Sequence, residues 1–288
     1  MLIYNENNLK LLYFQSSRVL TEFCFAYPFI IIMIKLRYFS DLHLEFIEPN
    51  ETEQFIRKIP PGMDEICILA GDIGNPYYQS NYDVFMKFIS KNFKKSFVIT
   101  GNHEYYNKIK TIQETNDFLK GYFQTFNNIS FLNNSLEYYE TYCFIGTTLW
   151  SKITNPEYEI SDVYKIPQFD YKQYNRLNMA CVNFLEDALQ HNNKCVVITH
   201  HVPSGSLIDI KYKTQKMIPY NQWFYCNMDE LIETKGNKIR CWLYGHTHTP
   251  SSNIINGIPF LCNPIGYPDE NSKLDFQKTE TIINGADL

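Results

Sequence analysis

Seven histidines occur in this 288-residue chain, and six of them stand directly after short apolar runs. The strings FSDLHLEF, LAGDIGN, ITGNHEYY, ITHHVPS and LYGHTHTP each join such a run to a polar turn. Those turns carry Asp41 and His43, Asp72, Asn102 and His103, His200 and His201, and His246 and His248. Neutral imidazole and carboxylate oxygen suit borderline divalent metals such as manganese, iron, cobalt and zinc. In Asp-x-His and His-x-His, alternate side chains of an extended segment project to the same side, so two donors can reach one ion. None of the five strings contains cysteine, which argues against a thiolate zinc site or an iron–sulfur cluster there. Glycine precedes Asp72, Asn102 and His246, permitting the sharp turns that expose them.

Something must bring the five strings together. The runs at 34–40, 65–70, 96–100, 143–150, 194–199 and 239–245 are short and apolar, as buried strands are. Between them, 81–92 has helical spacing (Val84, Phe85, Phe88, Ile89), and the clearest helix is 175–190, with Leu177, Cys181, Phe184, Leu185 and Ala188 on one face. Asn256-Gly257 marks a two-residue hairpin turn. Segments 151–174 and 203–222 show no period and read as loops. In open α/β sheets the loops at the carboxyl ends of strands converge on one crevice. Five such loops loaded with these side chains describe a multinuclear metal site.

Composition sets the outer limits. Apolar residues make up 44% and charged residues 20%, as in a globular α/β protein, and the net charge of −5 lacks the basic surplus of a protein that tracks nucleic-acid phosphates. Eight scattered cysteines without a C-x-x-C pair fit a reducing, cytoplasmic setting. Residues 23–34 are apolar but too few to span a bilayer, and Pro28 interrupts them. Either Met33 begins the natural chain or 1–32 is a loosely attached extension, leaving 33–288 as one domain.

In this order, the motifs DxH, GD, GNHE, H and GHxH resemble the calcineurin-like metallophosphoesterase superfamily. The likeness runs from about residue 33 to about 268. It is closest to small bacterial and phage-type members that also carry TLW (Thr148-Leu149-Trp150) and NP-x-GYP (Asn263 to Pro268). It implies a four-layer α-β-β-α sandwich of two mixed sheets flanked by helices, with a dinuclear metal site at the strand C-terminal ends. By the same likeness, Asp41, His43 and His248 hold one metal, Asn102, His200 and His246 hold the second, and Asp72 bridges them. His103 is the general acid or transition-state stabiliser, and Glu104 orients it.

The activity implied is metal-dependent phosphoester hydrolysis, a phosphodiester before a monoester. A hydroxide bridging two divalent ions attacks phosphorus in line, with Mn²⁺ the leading metal and Fe²⁺, Zn²⁺, Ni²⁺ or Co²⁺ compatible with the donors. A small phosphoester is the expected substrate, without a membrane partner. The rival readings are a nuclease of the same superfamily and a non-catalytic scaffold on this fold. Two departures narrow the subfamily: Asn75 stands where purple acid phosphatases place tyrosine, and Ile265 where close relatives have arginine. His201 and Tyr77, with Tyr78, are candidate substrate contacts. Trp150 and Trp223 read as core, and His191 as a helix-end residue.

Overall fold

The computed structural model describes residues 32–77, 79–270 and 274–284. The expectations for 1–31 and for Tyr78 lie outside the described residues. The first sheet is built from β1 (Ile32–Phe39), β2 (Gly62–Ala70), β3 (Phe93–Ile99) and β4 (Ile129–Phe131), all parallel. The second contains β5 (Ser135–Tyr139), β6 (Tyr142–Thr147), β7 (Cys195–Thr199), β8 (Ile239–Tyr244), β9 (Ser251–Ile255) and β10 (Ile258–Cys262). Its order is β5-β6-β7-β8-β10-β9, with a parallel centre and antiparallel edges. The chain then returns to the first sheet as β11 (Thr279–Asn284), antiparallel to β1, so both sheets are mixed.

The strands in the middle of each sheet read as unbroken apolar runs because both of their faces are covered. One face of the first sheet (Leu36, Ile68, Phe97) meets one face of the second (Phe144, Ile198, Leu243), and the Phe97 and Phe144 rings stack at 4.1 Å. The opposite face of the first sheet is covered by α1 (Thr52–Ile56), α2 (Gln79–Asn92) and α3 (Ile112–Phe123). Flanking the second are α4 (Ser161–Lys165), α5 (Tyr171–His191) and α6 (Asp229–Lys235), of which α5 and α6 bury the apolar stripe set by Cys181, Leu185, Leu231 and Ile232. This is the expected four-layer sandwich.

Local signals act where their physics is strong. Asp170 caps α5 by accepting from the Gln173 amide, and Thr111 with Glu114 forms a reciprocal capping box on α3. Asn256 (φ 51°) and Gly257 (φ 77°) make the hairpin turn between β9 and β10. Segment 151–174 is not wholly loop, since it contains α4 and the start of α5; α4 is one short turn that buries a carboxylate, Asp162, and so shows no apolar period. Among the described residues, no helix is long and apolar enough to cross a membrane. Seven cysteines there are free and buried.

Candidate metal centre

The two sheets bring their carboxyl edges to one place. Asp41 follows β1, Asp72 follows β2, Asn102 follows β3, His200 follows β7, and His246 and His248 follow β8. Five side chains of these loops are presented from left-handed backbone: Asp41 (φ 51°), His43 (47°), Asp72 (51°), His246 (66°) and His248 (48°). Such conformations cost non-glycine residues roughly 1–3 kcal/mol each and persist where the surroundings over-determine them. The strain turns each side chain inward. At Gly101 the reason for glycine is space: a Cβ there would lie 2.1 Å from Asp72 Oδ1 and 2.6 Å from His200 Nε2.

Backbone amides fix the carboxylates. Asp72 Oδ1 accepts from the His103 amide at 2.8 Å, and Asp41 Oδ1 accepts from the His246 amide at 2.9 Å. Asp72 Oδ2 then lies between two groups of donors, 3.3 Å from His200 Nε2 and 3.9 Å from His43 Nε2. One group is Asp41, His43 and His248 and another contains Asp72, His200 and His246; a third, His43, Asp72 and His103, overlaps both. His43 Nε2 is 3.2 Å from His248 Nε2, and His200 Nε2 is 3.1 Å from both His246 Nδ1 and Asn102 Oδ1.

Three imidazoles are oriented from outside the centre. His43 Nδ1 faces Glu45 Oε1 at 3.2 Å, His248 Nδ1 faces Glu270 Oε2 at 2.5 Å, and His200 Nδ1 faces the Ala70 carbonyl at 3.0 Å. Each leaves its Nε2 for the centre, the arrangement by which outer acceptors fix metal-binding histidines. The Asn102 amide is set the same way: its Nδ2 donates to Asp162 Oδ1 at 2.8 Å and to the Tyr106 hydroxyl, turning Oδ1 inward. The donor set therefore fits divalent cations. Lone-pair atoms confront one another across the centre, and His246 Nε2 is buried without a partner. Burial opposes charge on His200 and His248, but facing carboxylates outweigh it and push their pKa values up to about 9 and about 10. Burial also opposes ionisation of Asp72, yet His200 and His103 hold its carboxyl well below the usual range.

His103 stands beside both groups. Its Nδ1 is 2.9 Å from Glu45 Oε1 and its Nε2 2.9 Å from the Tyr267 hydroxyl. Burial lowers its basicity, but Asp72 and Glu45 reverse the sign and raise it. Glu104 does not orient His103, contrary to the expectation from the motif. Its buried carboxylate accepts from the backbone amides of Gly101 (2.7 Å), Asp72 (3.0 Å) and Ile73 (2.8 Å), clamping the two loops that carry Asp72 and Asn102. Burial, then Asp72, pushes its pKa up to about 8.

His201 is likewise placed differently from the expected substrate contact. It is fully buried, with Nδ1 on the Thr148 carbonyl and Nε2 on the Tyr174 hydroxyl, because successive residues past a strand end face opposite ways. Tyr77 does line a cleft beside His103, but its hydroxyl is spent on Thr115 and its ring stacks on Phe118. Trp150 and Trp223 are core, and His191 ends α5 on the surface. Asn75 bonds the Tyr77 amide and the Tyr106 carbonyl, and Ile265 packs on the core beneath the first sheet. Sequence reasoning missed Glu45, Asp162, Tyr267 and Glu270. Glu45 lies two residues past His43 and Tyr267 inside NP-x-GYP, whereas Asp162 sits in a segment without any pattern.

Two cavities meet at His103. The more open one, about 830 Å³, is lined by Phe46, Tyr77, Tyr106, Lys108, Tyr164 and Lys165. The more enclosed one, about 230 Å³, lies against Asp72, His246 and His248 and is walled by residues of the 203–222 segment and its flanks.

The family model for calcineurin-like phosphoesterases matches residues 34–250. An uncharacterised protein, L509, of Acanthamoeba polyphaga mimivirus is 32% identical over 266 residues, covering 83% of this chain and 94% of that one. Among solved structures, the phosphopantetheinyl hydrolase PptH of Mycobacterium tuberculosis superposes with a TM-score of 0.62 at 15% identity, over 81% of this chain and 90% of that one. TT1561 of Thermus thermophilus gives 0.52 at 11% identity, over 81% and 90%. At those identities the structural likeness concerns the fold.

Proposed function

The chain belongs to the calcineurin-like phosphoesterase family, and from that premise we propose that it is a dinuclear metal-dependent phosphodiesterase acting on a small substrate. Asp41, His43 and His248 would hold one divalent ion, Asn102, His200 and His246 the other, and Asp72 both, with Mn²⁺ the leading candidate. A bound pair of ions supplies an activated water and neutralises charge on phosphorus oxygens.

The chain's own residues supply the rest. Glu45 holds His103 at Nδ1 and, with Asp72, favours its protonated form, so Nε2 can donate to a departing oxygen. Tyr267 holds that nitrogen in the structure and is displaced or shared as substrate binds. Glu104 fixes the Gly101 and Asp72 amides and thereby the spacing of the two donor groups. Free, buried cysteines support a reducing, cytoplasmic location.

The observation that carries the diester preference is that two cavities flank one centre and share His103. A phosphorus seated there has room for two organic substituents. The test compares bis-p-nitrophenyl phosphate with p-nitrophenyl phosphate in the presence of Mn²⁺. The expected result is a kcat/KM at least roughly tenfold higher for the diester. A preference for the monoester contradicts it.

A further inference from the structure

Resting on that phosphoesterase reading, we propose that the enclosed cavity is the specificity subsite of the enzyme and takes an uncharged, flat ring carried on the substrate phosphorus, while an anionic substituent is directed to the open cavity. The two cavities differ in chemistry as well as size. The enclosed one is walled by Val202, Ile208, Tyr212, Met217 and Phe224. Besides the site's own Asp72 and imidazoles, its described lining carries the carboxylate of Glu270 and no lysine or arginine. Its 230 Å³ suit one ring system and not a polymer. The open cavity is lined by Lys108 and Lys165, the latter with its ammonium 4.9 Å from the Tyr106 ring centre, and by Glu45, whose carboxylate is engaged by His43 and His103.

The enclosed walls are built, not incidental. Segment 203–222 leaves and rejoins the fold at a two-rung bridge, in which the Val202 amide donates to the Phe224 carbonyl (3.1 Å) and the Cys226 amide to the Val202 carbonyl (2.9 Å). That bridge fixes Phe224, whose ring stacks on the His246 imidazole at 4.9 Å and 28°. One aromatic wall is thus tied directly to the metal centre. The Asn221 side-chain amide donates to the Tyr212 carbonyl at 3.1 Å and ties down the second aromatic wall. Glu270 is anchored at the cavity wall by the Tyr267 amide (2.8 Å) and by His248. A ring entering this space exchanges water for aromatic and aliphatic contact, and an anionic group meets a fixed carboxylate.

The test uses phosphonates, which place one inert substituent on phosphorus. Methylphosphonate, phenylphosphonate and phosphonoacetate are titrated into the Mn²⁺-loaded protein by calorimetry and assayed as inhibitors of bis-p-nitrophenyl phosphate hydrolysis. Phenylphosphonate is expected to bind roughly tenfold or more tighter than methylphosphonate. Met217→Trp, which fills the cavity, abolishes that gain, and Tyr212→Ala, a truncation, diminishes it. Phosphonoacetate depends on Lys108 and Lys165 and is weakened by their replacement with Ala. Equal affinities for the methyl and phenyl ligands, or a phenyl gain unaffected by either Met217→Trp or Tyr212→Ala, overturns the proposal. A phenyl gain that both variants remove, in a protein that hydrolyses no diester, upholds the subsite and overturns the phosphodiesterase reading alone.

Discussion

The two donor groups at the centre share Asp72 but are supported in different ways. Around Asp41, His43 and His248 the supports are carboxylates that come from outside the strands: Glu45 behind His43 and Glu270 behind His248. Around Asn102, His200 and His246 the supports are a strand carbonyl, the Ala70 oxygen behind His200, and a buried acid, Asp162, behind Asn102. The first group thus collects more negative charge. The second is set into the sheet edges and uses neutral donors. An ion in the first half would draw more of its binding from charge, and an ion in the second more from rigid geometry.

The difference can be broken at its shared point. Asp72→Ala removes the carboxylate common to both halves, and the expected outcome is loss of both ions and of activity by about a thousandfold or more, read by metal analysis and by turnover. His103→Ala sits outside both halves. It should lower kcat by roughly 10²–10⁴-fold while the metal count of the purified protein is unchanged. A drop in metal content would move His103 into one of the halves.

Smaller changes sharpen the contrast. Glu270→Gln and Asp162→Asn each disturb one support, and each should weaken one ion by about 10–100-fold and leave the other, as seen in two-phase metal titrations. Equal weakening of both ions by either variant would show that the halves are not independent. The mildest effect is expected at His201→Leu. It removes the imidazole between the Thr148 carbonyl, which keeps its bond from the residue-201 amide, and the buried Tyr174 hydroxyl, and so costs about 1–3 kcal/mol in a denaturant titration, with both ions retained.

His200 and His201 show what was legible in the sequence and what was not. The order DxH, GD, GNHE, H, GHxH names the side chains that the structure gathers, because each donor follows its strand directly and strand ends are visible as apolar runs. The roles of their neighbours depend on contacts between distant segments: Glu45 with His103, Asp162 with Asn102 and Tyr267 with His103 cross from one loop to another. Motif spacing carries no record of these, which is why Glu104, the residue next to His103, took the orienting role that Glu45 fills. The left-handed backbone at five donors is equally hard to read, since Asp and His tolerate that conformation more often than other side chains but do not require it. Most of the sandwich was readable from its two-faced central strands. The edge strands β5 and β11, being half-exposed or short of apolar residues, and α3, with its mixed face, were not.

The central claim is that these two donor groups form one dinuclear centre. The most direct measurement is equilibrium dialysis of the full chain against Mn²⁺ followed by counting bound metal per chain, alongside Asp72→Ala of verified fold. Two ions per chain in the native protein, with both lost in the variant, is the predicted result. One ion or none in the folded native protein, or two retained by Asp72→Ala, would contradict it.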